Sequence, residues 1–133
     1  MKNRKLIDSI KNSINGIIYT IKTERNMKIH VLAAILVIIL SFLYRLSNVE
    51  LCIICITVGL VLVCELFNTA IETLVDIIVD VYHPKAKIIK DAAAGAVFIS
   101  ALISLAICYF IFFDKVRTDI QNLFQHLKNI IHF

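Results

Sequence analysis

From Ala92 to Phe113 the chain reads "AAAGAVFISALISLAICYFIFF", without one charged residue. About 20 such residues in a helix cross the ~30 Å hydrocarbon core of a bilayer. Two further stretches are nearly as apolar, each with one charged residue near an end, Arg45 and Glu50. Ile29 to Leu46 reads "IHVLAAILVIILSFLYRL", and a second run is apolar from Val49 through Cys64, then keeps a helical pattern to about Val81. The spans expected are therefore about 29–46, 49–81 and 92–113. With 133 residues, 59% of them hydrophobic and 18% charged, and a mean hydropathy of +0.85, the chain is too oily for a soluble domain of its size. It has no Trp, three Gly and one Pro. Long unpunctuated runs favour helices, since barrel strands would alternate polar and apolar residues. The expected fold class is all-α: an integral membrane protein with three transmembrane helices.

The N-terminal stretch, interfacial helix 1–24, is basic but lacks the uninterrupted apolar core and small-residue cleavage site of a signal peptide, so it is read as mature structure. Leu6, Ile7, Ile10, Ile14, Ile17, Ile18 and Ile21 recur at three- and four-residue steps. They form one helical face, while Lys2, Arg4, Lys5, Lys11 and Lys22 fall mostly elsewhere. That pattern suits an amphipathic helix lying in the headgroup layer. Lys and Arg precede the first span in number and gather again in the second loop at Lys85, Lys87 and Lys90, whereas the first loop holds only Arg45. The bias puts the N-terminus and second loop in the cytoplasm, and the tail outside. That tail, 114–133, carries Val116, Ile120, Leu123, Phe124, Leu127 and Ile130/Ile131 on one face. It is either a second interfacial helix or a soluble amphipathic segment. Residues 1–113 form the membrane domain. Cys52, Cys55, Cys64 and Cys108 all lie in apolar runs, so the CxxC has neither water nor a second ligand pair and reads as small apolar filler.

One feature defies the oil around it. "CELFNTAIETLVD", Cys64 to Asp76, carries Glu65, Asn68, Glu72 and Asp76 at the end of the second span. At about 100° per residue these four point to roughly 0°, 300°, 340° and 20°, a single ridge about 16 Å long. Thr69 flanks it. Leu66, Phe67, Ile71, Leu74 and Ile78 occupy the other side. If the span starts near Val49, the bilayer boundary falls near Thr69. Glu65 is then about a turn inside the membrane, and Glu72 and Asp76 reach water. A carboxylate at the bilayer centre costs on the order of 3 kcal/mol. Packing between helices, or snorkelling, would account for one such group. Four in line exceed what packing requires, and they are acceptors suited to a cation or a transferable proton. Glu24 and Arg25 lie at the same boundary, as do Lys90 and Asp91. Singly, Asp91 reads as an N-cap of the third span and Lys90 as a positive-inside anchor. Together the carboxylates and ammonium suit a magnesium–phosphate site. Gly16, Gly59 and Gly95 are isolated, so neither a P-loop nor a kinase glycine loop is present.

"ELFNTAIETLVD", Glu65 to Asp76, strongly resembles the signature of the small prokaryotic diacylglycerol kinase family. "HPKAKIIKDAAAGAV", His83 to Val97, and "TERNMKIH", Thr23 to His30, are similar to its Gram-positive branch, whose members act largely as undecaprenol kinases. The likeness covers about residues 15–113. It implies an ATP- and magnesium-dependent lipid kinase with three transmembrane helices and an interfacial helix, working as a homotrimer with active sites between neighbouring helices and subunits. By the same resemblance Glu65 is the general base and Asn68 its orienting neighbour. Glu72 and Glu24 are the magnesium ligands and Asp76 supports them. Lys90 and Asp91 contact the nucleotide, with Tyr82 and His83 nearby. Where the Gram-negative branch has an acidic residue and an arginine, this chain has His30 and Lys28. The partners implied are a membrane lipid alcohol, ATP and the bilayer, with no nucleic acid. Undecaprenol is the first expectation and diacylglycerol the rival. A different class, an ion-coupled or purely structural membrane subunit, would use the ridge as a proton or cation path. Val49 to Val63 offers, beside Glu50 at its outer end, only Thr57 to continue such a path outward.

Overall fold

A computed structural model describes residues 2–131, and side chains from 5 to 128. The side chains of Lys2, Arg4, Ile130 and Ile131, which entered the charge and face patterns above, lie outside the described residues, as do positions 1, 132 and 133. The chain folds into four helices: α1 (Lys2–Thr23), α2 (Arg25–Leu43), α3 (Asn48–Ile78) and α4 (Pro84–Ile131). The last three are each long and apolar enough to cross a membrane.

α1 and α2 are separated by Glu24 alone, whose extended backbone (φ −88°, ψ 126°) turns the chain. α2 ends at Leu43, three residues before the expected limit of the first span. There the backbone reverses through Arg45 at φ 47°, and the amides of Tyr44, Arg45 and Leu46 fold back onto carbonyls of the last helical turn. Ser47 then caps α3. Its hydroxyl accepts from the Glu50 amide, and Glu50 Oε2 accepts from the Ser47 amide at 2.7 Å, a reciprocal capping box. α3 stops at Ile78 rather than near Val81, so Val79 to His83 form the loop. Pro84 opens the next helix. It sits at the first position of α4, where its missing N–H costs nothing.

α4 corrects two expectations. Asp91 is not an N-cap, because the helix is already two turns old when it reaches that residue. Nor does the segment after Phe113 form a second, separate helix: α4 continues unbroken from Pro84 to Ile131. No proline or glycine interrupts it there.

The α3–α4 hairpin is the most extensive contact in the molecule, with α2 packed on α3 and α1 against the start of α2 and the C-terminal half of α3. Ion pairs mark both ends of the hairpin. Asp76 meets Lys90 at 2.7 Å beside the α3–α4 loop, and Glu50 meets Lys115 at 3.1 Å at the opposite end. The two pairs are about 25 residues apart along each helix, or ~38 Å of rise. That exceeds the ~30 Å hydrocarbon core, so both sets of charges can stand in headgroup layers while the helices between them lie in oil.

Little of this surface is hidden within one chain. A small core of Leu46, Ile54 and Phe112 gathers at the Glu50 end, with Leu40, Tyr44 and Cys108 around it. The ring of Tyr44 meets that of Phe112 edge-on at 5.9 Å. Toward the other end, the inward stripe of α3 turns polar: Ile54, Thr57 and Val61 give way to Glu65, Asn68 and Thr69, all buried. Phe67, Leu74 and Ile78 face outward and are exposed. The cysteines are free.

Candidate active site

The buried hydroxyls of the bundle satisfy themselves locally. Thr57 donates to the Ile53 carbonyl at 2.6 Å, Ser41 to Val37 at 2.7 Å, Thr20 to Gly16 at 3.1 Å, Thr69 to Glu65 at 3.0 Å and Ser100 to Val97 at 2.8 Å. Such back-bonding lets a hydroxyl sit in an apolar interior at little cost. Two other groups do not follow this pattern. Glu65 is 1% exposed, and its Oε2, together with Oδ1 of Asn68, has no hydrogen-bond partner. A buried acceptor without a partner costs about 1–3 kcal/mol, more when charged. Two adjacent ones on a ridge are acceptors that an arriving hydrogen-bond donor would satisfy.

The ridge continues outward. Asn68 Nδ2 donates to Glu72 Oε1 at 3.2 Å. Glu72 is half-buried and Asp76 exposed, so accessibility rises along the helix from Glu65 to Asp76. Lys90, on α4, reaches Asp76 and also feels the charge of Glu72. Glu24 comes from the α1–α2 break. Although it stands at the N-cap position of α2, its side chain makes no capping bond, so the carboxylate is left for other work. The charges of both Glu24 and Glu72 act on Glu65. The α1–α2 break and α3 thus bring three carboxylates into one electrostatic neighbourhood at one end of the bundle.

Beside them a cleft of about 470 Å³ opens between the end of α3, the loop and the start of α4. Glu72, Asp76, Tyr82, His83, Lys90 and Asp91 all line it, so six of the nine residues singled out in the sequence share one wall-to-wall space. Glu65, Asn68 and Glu24 are not part of that lining; the first two lie deeper along the ridge. His83 is fixed by its own loop, Nδ1 accepting from the Lys85 amide at 3.2 Å. Asp80 and Lys87 also line the cleft and were not anticipated. Lys87 could have been, since it lies one turn before Lys90 on the same helical face. Asp80 sits in the irregular loop, where no periodicity points.

Among the described residues no three His, Cys, Asp or Glu side chains converge into a ready cage for a metal ion. A magnesium ion does not need one, because it takes one or two carboxylates and completes its shell with phosphate oxygens and water. Glu24, spent on no cap, and Glu72, at the wet end of the ridge, are donors of the right hardness for it.

The whole arrangement lies within the region that matches known proteins. Residues 11–112 match the sequence model of a family described as "Prokaryotic diacylglycerol kinase". The chain belongs to the prokaryotic diacylglycerol kinase family. It is a lipid kinase, and with its three apolar helices a multi-pass membrane protein. Among its relatives, an undecaprenol kinase of Bacillus subtilis is 46% identical over 112 residues, which cover 84% of this chain and 91% of the relative. A diacylglycerol kinase of Synechocystis is 37% identical over 77% of this chain and 59% of its own length. One of Haemophilus influenzae is 33% identical over 74% of this chain and 83% of its own. A lipid kinase must meet a lipid hydroxyl in the membrane and a phosphate donor outside it.

Proposed function

We propose that this kinase transfers the γ-phosphoryl group of ATP to the hydroxyl of undecaprenol, giving undecaprenyl phosphate and ADP, with Mg²⁺ as the metal. The observation that carries the reading is the buried, unpartnered Glu65 Oε2 on the same ridge as the water-facing Glu72. Glu65 and Glu72 are two turns apart, roughly 10 Å along the axis, a distance that a polyphosphate and a lipid headgroup span together. Glu65 accepts the proton of the lipid hydroxyl as its oxygen attacks the γ-phosphorus and the bond to the ADP oxygen breaks. Asn68 holds Glu72 and keeps its own carbonyl oxygen beside the base. Lys90 leaves Asp76 for the phosphates, and Asp91, Tyr82 and His83 face the nucleotide in the cleft. Mg²⁺ held by Glu24 and Glu72, with Asp76 in support, would offset the phosphate charge. Positioning and charge neutralisation supply most of the acceleration in phosphoryl transfer.

The chain works in the cell membrane with the N-terminus and the α3–α4 loop in the cytoplasm, where ATP is. α1 lies in the interface with Leu6, Ile10, Ile14 and Ile17 toward the acyl chains; all are exposed on the single chain. The large apolar surface left open on α2–α4 suits assembly into a homotrimer. Undecaprenol is preferred because the Bacillus subtilis relative, 46% identical, bears that activity in its name. Diacylglycerol is the second reading, favoured by the other two relatives.

Purified protein in mixed micelles, labelled ATP, and undecaprenol or diacylglycerol as acceptor decide between them. The reading expects kcat/KM for undecaprenol to exceed that for diacylglycerol at least tenfold. A preference for diacylglycerol replaces the substrate, and phosphorylation of neither rejects the function.

A further inference from the structure

The family match ends at residue 112, but α4 does not: it runs on to Ile131, about 27 Å beyond Phe113 at 1.5 Å per residue. From the end of the span along this extension, as far as Leu127, Tyr109, Phe113, Val116, Ile120, Leu123 and Leu127 form an apolar stripe. Their spacing alternates four and three without a slip, a heptad repeat with Phe113, Ile120 and Leu127 at one core position and Tyr109, Val116 and Leu123 at the other. All six are between 39% and 58% exposed on the single chain. A groove of about 450 Å³ runs along this face from Tyr109 to Ile120, and the rings of Tyr109 and Phe113 lie 4.9 Å apart within it.

We infer that this stripe is a self-association seam, on which α4 of a second copy of the chain packs in parallel and in register as a coiled coil projecting from the membrane. Three observations favour a second copy over the bilayer surface as occupant. The apolar stripe is about two residues in seven, the width of a coiled-coil seam, and only Phe124 broadens it; a surface-lying helix presents a wider face. The charges around it nearly cancel, Lys115, Arg117 and Lys128 against Asp114 and Asp119, so anionic headgroups are given little to attract. And the helix is fixed upright at its root. Lys115 is held by Glu50 at 3.1 Å, so α4 cannot bend there without breaking that pair. Copies inserted in one bilayer share an orientation, and equal spans bring their α4 helices out at equal height. Parallel, in-register pairing is therefore the only arrangement the membrane permits. Outside the bilayer, burial of the stripe also gains the hydrophobic effect that lipid-embedded helices lack.

The test uses the full chain in phosphatidylethanolamine–phosphatidylglycerol vesicles, with single cysteines placed along the extension and a water-soluble oxidant. The unsubstituted protein reports any background from the four native cysteines. Ile120→Cys, Leu123→Cys and Leu127→Cys should form intermolecular disulfides at least tenfold faster than Thr118→Cys, Asn122→Cys and Gln125→Cys. Adding Ile120→Glu to the Leu127→Cys chain should slow its cross-linking by a similar factor. Equal rates at all six positions, or absence of cross-links, would overturn the inference.

Discussion

Asn68 donates its amide to Glu72 one turn further along α3, at 3.2 Å, and so joins the buried half of the ridge to its wet half. Its other polar atom, Oδ1, has no partner, and neither has Oε2 of Glu65. The bond fixes which way the side-chain amide points: nitrogen outward to the carboxylate, oxygen left beside the base. Asn68→Ala should lower kcat about 10- to 100-fold, in line with the ~1.5–3 kcal/mol of a hydrogen bond to a charged group. Asn68→Asp should do worse, since it sets a third carboxylate between Glu65 and Glu72. Steady-state assays of both variants check this; wild-type kcat in Asn68→Ala would show the bond to be incidental.

The pair of Lys90 and Asp76 at 2.7 Å is half open to water, and exposed ion pairs add little to stability. Its use lies in holding the ammonium group at the rim of the cleft. Lys90→Gln should raise KM for ATP at least tenfold with the melting temperature unchanged. Lys90→Arg should recover part of the loss, because it keeps the charge. A fall in melting temperature with an unaltered KM would make the pair structural.

At the far end of the hairpin the opposite split is expected. Glu50 closes the capping box with Ser47 and also binds Lys115, but it stands ~38 Å from the cleft by helical rise. Glu50→Gln should lower the melting temperature in micelles while kcat and both KM values hold. Loss of turnover in a variant that melts normally would mean that this end communicates with the site.

The three spans and the ridge were legible because each is a strong periodic signal. An uncharged run such as Ala92–Phe113 has one physical solution, and Glu65, Asn68, Glu72 and Asp76 share a face at any reasonable helical pitch. The boundaries were less legible. Leu46 was assigned to the first span because it is apolar, but Arg45 takes a left-handed backbone conformation that only the loop explains. Asp91 resembled a cap because a charged residue beside an alanine run usually is one, whereas Pro84 had already started the helix. The continuity of α4 beyond Phe113 was hidden by a change of composition, from oil to charge, that alters the solvent around a helix without ending it. Contacts such as Glu50–Lys115 pair residues 65 positions apart in the chain, and local pattern is blind to them. Glu24 shows the same limit: its place at a helix break was visible, but not that its carboxylate goes unused by the cap.

Glu24 offers a separate check on the metal. If it and Glu72 share Mg²⁺, Glu24→Gln should shift the Mg²⁺ concentration for half-maximal turnover upward by about tenfold or more, and excess Mg²⁺ should restore part of the rate. An unchanged metal requirement would remove Glu24 from the ligand set.

The claim on which the account rests is a division of labour along one helix, with the base at the buried end and the metal at the wet end. Turnover of Glu65→Gln and Glu72→Gln, each titrated with Mg²⁺ in the same micelles, measures it directly. Glu65→Gln should lose about 10²- to 10⁴-fold in kcat with its half-saturating Mg²⁺ unmoved, whereas Glu72→Gln should need far more Mg²⁺. Wild-type turnover in Glu65→Gln, or the same change of metal requirement in both variants, would contradict it.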